Sequence, residues 1–308
     1  MTSFETERLT ECMICGSREI DVVDSDAALW ICKSCNYIFD NPRPTLSALV
    51  GFYSAPAKYD SWLSEEVART KLWAKRLRKM RSKSRPGNLL DIGAGIGQFL
   101  DLARRNFTEV WGTEVSSSAV AIAKEKYGLE LFHGTLDSLC LPAESFDNIT
   151  AFHVLEHVPN PRMMIEKCYT LLRSTGILVI AVPNDYRPMK ARVRMILGRF
   201  GFKKYHGVTR SGLPRIRLDG SMSEIHLSHF TPKVLLHLLE SCGFSVVMAS
   251  VDPYFVPNHG LDGFKQSVRY KLGLLVHAIM GVNIYDAIWM VAQKQHSEPE
   301  VCMRRRVV

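Results

Sequence analysis

An α/β fold, a mostly parallel sheet with helices on both faces, is predicted by three features of this 308-residue chain. Apolar strand-like runs and amphipathic helical runs take turns from residue 88 onward, the pattern of repeated βαβ units. The first run, Leu89-Leu90-Asp91-Ile92, empties into Gly93-Ala94-Gly95-Ile96-Gly97 and then into a helical segment. Such a turn lets backbone N–H groups and a helix N-terminus approach a ligand that a Cβ would hold off, so it is a nucleotide-cofactor cradle. The next apolar run ends at Glu114, seventeen residues past Gly97, where an acid can reach the same ligand.

The elements follow in order. A ribbon occupies residues 1–45 and a helical connector 46–86; the α/β domain spans 87–295, and a tail, 296–308, is expected to be disordered. Within the domain the pattern predicts a strand over 88–92, a helix over 98–106, a strand over 110–114, a helix over 117–127 stopped by Gly128, and a short strand over 129–133. A strand over 148–152 comes next, then a helix from Pro161 capped by Asn160, and a strand over 177–182. Thr231 caps a helix that begins with Pro232 and stops before Gly243. Strands over 244–251 and 284–291 close the sheet, with a helix over 265–280 between them.

Charge is unevenly placed. The net charge is +8, yet residues 69–85 carry nine Lys or Arg and residues 186–218 carry ten, with no acid in either stretch. Trp73, Leu77 and Met80 fall at helical spacing, so the first stretch suits a solvated basic helix face. The second lies in a long insertion, about 184–230, of a length typical of substrate lids, and its charge suggests an anionic partner. No basic-then-apolar leader and no apolar run of roughly 20 residues is present, so a cytoplasmic location is expected.

Cys12-Met13-Ile14-Cys15 and Cys32-Lys33-Ser34-Cys35 are two CxxC knuckles sixteen residues apart. Four thiolates suit a closed tetrahedral zinc site, so Cys12, Cys15, Cys32 and Cys35 are the candidate ligands of a structural Zn2+.

Several motifs resemble those of class I S-adenosylmethionine-dependent methyltransferases of the Methyltransf_23 and Methyltransf_11 type. These are the ribbon from Cys32 through Asn41-Pro42-Arg43-Pro44, the GxGxG turn, and His153-Val154-Leu155-Glu156-His157-Val158-Pro159 after Phe146-Asp147-Asn148-Ile149. Gly176-Ile177-Leu178-Val179-Ile180-Ala181-Val182-Pro183-Asn184 and His226-Leu227-Ser228-His229-Phe230-Thr231-Pro232 complete the set. The resemblance implies a Rossmann-like seven-stranded sheet with an N-terminal zinc ribbon, and S-adenosyl-L-methionine as cofactor. Asp91, Gly93, Ala94, Gly95, Gly97, Glu114, Val115, Thr135, Leu136 and His153 are the cofactor-binding positions it implies, with Glu114 on the ribose hydroxyls. Thr135 stands where many relatives place an aspartate toward the adenine amine, which leaves Leu136 and backbone groups for the ring. His153 stands where quinone-pathway O-methyltransferases carry an acid, which weakens a catalytic metal of that kind.

Methyl transfer requires a nucleophile held in line with the S–CH3 bond and a base for its proton, most often histidine near neutral pH. His153, at the carboxyl edge of the sheet, and His226 and His229, at the end of the insertion, are the candidates. The leading expectation is a small-molecule or glycan acceptor bearing phosphate, pyrophosphate or carboxylate. Two alternatives are an RNA acceptor gripped by the ribbon and the basic stretches, and a non-catalytic protein with a relic cofactor site. The second is disfavoured by the intact Asp91, glycines and Glu114.

Overall fold

The computed structural model describes residues 4–55, 59–184, 186, 188–202, 209–219, 221–253 and 261–295. In the ribbon, β1 (Thr6–Glu7) pairs with β5 (Arg43–Pro44), and β2 (Ile20–Asp24), β3 (Leu29–Cys32) and β4 (Ile38–Asp40) form an antiparallel meander. Three helices form the connector: α1 (Leu46–Tyr53), whose first turn is capped by Thr45, α2 (Asp60–Ser64) and α3 (Glu66–Arg81).

The domain continues as β6 (Asn88–Ile92), α4 (Gln98–Ala103), β7 (Glu109–Glu114), α5 (Ser117–Tyr127), β8 (Phe132–His133), β9 (Phe146–Phe152), α6 (Pro161–Leu171) and β10 (Leu172–Pro183). After these come α7 (Pro188–Arg199), β11 (Ser228–His229), α8 (Pro232–Ser241), β12 (Phe244–Val251), α9 (Leu261–Met280) and β13 (Ala287–Lys294). The seven-stranded sheet has the order β12-β13-β10-β9-β6-β7-β8, with β13 antiparallel to both its neighbours. Ile177 to Val182 are all buried, as a central strand covered on both faces requires. The caps fall where the sequence puts them: Asn160 accepts from the Met163 N–H and Thr231 from the Val234 N–H, while Gly128 ends α5 at φ +63°.

Some boundaries differ from expectation. The edge strand over 129–133 shortens to β8, and the last strand starts at Ala287 rather than 284, because the Asn283 side chain accepts from the Tyr285 N–H and makes a turn there. The helix expected over 98–106 ends at Ala103, and the Asn106 side chain donates back to the Leu102 carbonyl.

Two larger corrections concern organisation. The insertion is not a bare loop: it holds α7, and its later part is pinned down by its own apolar residues. Leu213 packs with Ala27, Leu29 and Ile38 of the ribbon, and Ile216, Leu218 and Met222 pack with Leu49, Ile225 and Leu227. Nor does the ribbon stand apart. Cys12, Ile14, Cys32, Tyr37 and Phe39 belong to the same buried cluster as Phe230, Leu235, Leu238 and Phe244, and β11 adds a fourth strand to the ribbon meander by pairing with β4. The expected tail lies outside the described residues.

Candidate active site

The turn after β6 is built by backbone bonds that draw the loop back onto β7. The Ala94 N–H donates to the Thr113 carbonyl at 2.9 Å, and the Gly97 N–H to Ala94 at 3.0 Å, so that α4 starts directly from the turn. Gly93 and Gly95 both sit at positive φ, +65° and +55°. A Cβ on Gly93 would meet the Val154 side chain at 2.5 Å, and one on Gly95 would meet the Trp62 ring at 2.7 Å, so neither position accepts a larger residue unstrained.

Glu114 ends β7 and turns into this loop. Its two oxygens accept from the Gly95 N–H at 2.8 Å and the Ser116 N–H at 2.9 Å. Burial raises its pKa against the pull of those donors. Asp91 is also buried and accepts from the Thr150 hydroxyl at 2.6 Å; burial pushes its carboxyl up to about 7. Val115 follows, its carbonyl 3.2 Å from His133 Nε2. Thr135 precedes the short turn Leu136–Ser138 and bonds the Ser138 hydroxyl, while Leu136 is buried in the main core. Trp62 of α2 lies over Gly95, and the Arg69 guanidinium stacks on its ring 3.7 Å from the centroid. The connector thus covers the glycine turn.

A chain of charged groups runs beside this cradle at the end of β9. Arg76 of α3, buried, donates to both oxygens of Asp252, and Asp252 Oδ2 is 3.2 Å from His153 Nε2. His153 holds a positive φ of 57°, and its Nδ1 is 3.4 Å from Glu156. Burial opposes charge on this ring, but the carboxylates of Asp252 and Glu156 on its two sides outweigh it and its pKa is raised. Glu156 is buried, and neither of its oxygens has a hydrogen-bond partner among the described residues. His157, 3.8 Å from Glu156 through Nε2, donates through Nδ1 to the Ile225 carbonyl, and burial lowers its pKa. Tyr53 of α1 completes this corner, its hydroxyl 3.0 Å from His157 Nδ1.

The segment at the end of the insertion is fastened here, because the Leu227 and Ser228 N–H groups both donate to the Glu156 carbonyl. The His226 ring then lies 5.0 Å from that of His157, and ligand atoms of Glu156, His157 and His226 all fall within 4.8 Å of one another, close enough to share a metal ion. His229 points elsewhere: it is buried in β11 with Nε2 2.9 Å from Asp40 of the ribbon. Sequence reasoning picked out His153 and His226 but missed Tyr53, Trp62, Arg76 and Asp252. Arg76 breaks the pattern of its basic helix by taking a core position one residue before Leu77, which was the available signal.

The ribbon cysteines converge. Cys12 and Cys35 sulfurs are 3.6 Å apart, and Cys15 and Cys32 sulfurs 3.5 Å apart. A tetrahedron with Zn–S bonds near 2.3 Å has edges of roughly 3.8 Å, so the four thiols fit a zinc ion far better than two disulfides, whose sulfurs would be about 2 Å apart. The Cys35 thiol hydrogen bond draws Cys12 down to about 5, the behaviour of a group prepared to act as a thiolate.

A seven-stranded sheet in this order, with a glycine turn after its first strand and an acid at the end of its second, defines a class I methyltransferase. Comparison with known proteins agrees. Residues 63–249 match the Methyltransf_23 family model, a methyltransferase domain, and the chain belongs to that family as an S-adenosylmethionine-dependent methyltransferase. It is 24% identical over 212 residues to a probable S-adenosylmethionine-dependent methyltransferase of Mycolicibacterium smegmatis, covering 67% of this chain and 69% of that one. It is 33% identical over 116 residues to a ubiquinone biosynthesis O-methyltransferase of Coxiella burnetii, and there it spans about half the relative's length: 36% of this chain, 49% of the relative. Among solved structures, a chain from the complex between the Haloferax volcanii Trm112 methyltransferase activator and a methyltransferase superposes with a TM-score of 0.52 at 14% identity, over 80% of this chain and 100% of that chain, a likeness of fold.

Proposed function

We propose that this enzyme methylates an oxygen or nitrogen of a small-molecule or glycan acceptor bearing phosphate, pyrophosphate or carboxylate, and that His226 takes the acceptor's proton. The observation that carries the reading is the buried Glu156 carboxylate, unpartnered by hydrogen bonds among the described residues and surrounded by three imidazoles. His153 lies between two carboxylates, through both ring nitrogens, and so holds its proton. His157 is spent on Ile225 and Tyr53, and His229 on Asp40. His226, whose Nε2 lies 3.5 Å from Glu224, stands on the segment that closes over the site, and its ring would accept a proton and pass its charge toward Glu224 and Glu156.

S-adenosylmethionine, when bound, supplies a sulfonium methyl already activated for transfer. Gly93, Ala94, Gly95 and Gly97 would present backbone to it, Glu114 would accept from the ribose hydroxyls, and Asp91 and Val115 would border it; Thr135 and Leu136 stand at the adenine end. Cys12, Cys15, Cys32 and Cys35 would hold a structural zinc. The exposed Arg215 and Arg217, alternating with the inward Ile216 and Leu218, give the insertion a cationic face for the acceptor's anionic group.

The test uses tritium-labelled cofactor with a small-molecule fraction of cell extract. His226→Gln should lower methyl incorporation by roughly 10²- to 10⁴-fold while cofactor affinity stays within about threefold. Full activity in His226→Gln would withdraw the assignment, and loss confined to His153→Gln would move it there.

A further inference from the structure

α9 carries an apolar stripe that no described residue covers. Phe264, Val268, Leu272, Leu275 and Ile279 are between 47% and 74% exposed, and at 100° per residue they fall within an arc of roughly 80°. The opposite face is the one that docks: Gly273 lies against Tyr285, Tyr270 packs its ring on Tyr285 at 5.6 Å, Leu274 joins Val251 and Ala287, and His277 Nε2 donates to the Ala249 carbonyl. Among the described residues the exposed stripe is therefore the outer side of a seated helix. Lys265 and Lys271 border it, one on each side, with Arg269 beyond Lys265, and residues 264–280 contain no acid. α7 repeats the arrangement. Val193, Ile196 and the following Phe200 are between 49% and 78% exposed on one face, beside Arg192, Arg194 and Arg199, and this helix contains no acid.

We infer that α9 docks the enzyme on an anionic lipid bilayer, α7 carrying a second stripe of the same kind. A folded chain seldom leaves two such stripes in water, and a stripe edged by cations matches a surface whose interior is apolar and whose rim is phosphate. A second copy of the chain matches less well, because pairing the stripes would bring Lys265 and Lys271 toward the same cations of the other copy, while Arg269 is held by Asp286. The mode is interfacial, since no helix among the described residues is long and apolar enough to cross a membrane. α9 returns to the carboxyl edge of the sheet, where the Asn184 side chain donates to the Asn283 and Tyr285 carbonyls. Docking there would bring that edge to acceptors anchored in the membrane, a consequence that rests on the methyl transfer proposed above; the docking itself does not.

Vesicle flotation of the full chain tests it. Vesicles of phosphatidylcholine with about a third phosphatidylglycerol should carry the protein up, and phosphatidylcholine alone should not. Leu272→Glu with Leu275→Glu should abolish flotation, and Lys265→Gln with Lys271→Gln should weaken it roughly ten- to thirtyfold and flatten its salt dependence. Cofactor affinity and melting temperature should match wild type in both, which separates this result from unfolding and from failure of the catalytic reading. Absence of binding to the anionic vesicles, or binding that both double variants retain, would overturn the inference. So would a dimer in light scattering that Leu272→Glu dissociates, which would give the face to a second copy.

Discussion

Glu114 is fixed by two backbone donors, and under the proposed ribose contact this sets what its loss should cost. Its oxygens already hold the Gly95 and Ser116 N–H groups, so the side chain is fixed before any ribose hydroxyl arrives. Glu114→Ala should weaken S-adenosylmethionine binding by about 1.5 to 3 kcal/mol in calorimetry, with the fold intact; unchanged affinity would remove the residue from the site. Asp91 adds a pH dependence whose sign follows from its environment. Burial lifts its pKa to about 7, so the folded apoprotein holds a proton there that an unfolded chain would release at lower pH, and this contribution to stability fades as pH climbs toward 7. A cationic cofactor favours the carboxylate instead. Affinity should thus rise with pH, by up to about tenfold per unit below 7, and flatten above it. Asp91→Asn should remove the slope, and calorimetry in buffers of different ionisation enthalpy should show proton release on binding at pH 6 in wild type alone.

The elements of the nucleotide-binding half were legible because each announces itself locally. Gly93, Gly95 and Gly97 sit at a fixed offset from the strand that ends at Ile92, and Asn160 and Thr231 cap helices through their own side chains. Contacts between distant segments were not legible. Asp40 and His229, or Arg76 and Asp252, are far apart in sequence and nothing local to any of them names its partner. The same gap hid the docking of the ribbon. From sequence the ribbon is an appendage whose loss of zinc should loosen only residues 1–45 and leave the core binding cofactor. The structure predicts a wider effect, since β4 pairs with β11 and Ile14, Tyr37 and Phe39 share a core with Phe230 and Leu238. Cys32→Ser, or a chelator that strips the zinc proposed for the four thiols, should therefore raise amide exchange in residues 226–241 as well as in the ribbon, and lower kcat by at least about tenfold through the His226 segment. Cofactor affinity should change little, because the bonds that hold the Glu114 carboxylate and the glycine turn run within residues 94–116. Exchange confined to residues 1–45 would show the ribbon to be a separate unit after all.

At the scale of the whole molecule the question is what the two basic stretches do. A surface that tracks RNA needs many cations facing solvent together, and α3 fails that requirement in part. Arg76 is buried on Asp252, Arg69 is stacked on Trp62 and bonded to Gln98, and Lys79 is bonded to the Ser250 hydroxyl and the Val251 carbonyl, where burial lowers its pKa to about 8. These cations hold the connector to the sheet and the cofactor cradle, so the solvated basic face expected from sequence is interrupted. Arg215 and Arg217 remain exposed, on a stretch whose alternate residues anchor it to α1. A phosphate or carboxylate gripped by these two displaces few counterions. Arg215→Gln with Arg217→Gln should then raise the acceptor KM or lower kcat, while the rate of the wild-type enzyme falls only shallowly between about 50 and 200 mM salt. An RNA-binding surface touching six or more phosphates would instead lose orders of magnitude in affinity over that range. Charge removal at Arg78 and Arg81 of α3 would then matter as much as removal in the insertion. Steep salt dependence in total-RNA binding, accompanied by methyl incorporation into RNA, would give the acceptor to RNA; a shallow slope with loss confined to the Arg215 and Arg217 variant would give it to a small anion held under the insertion.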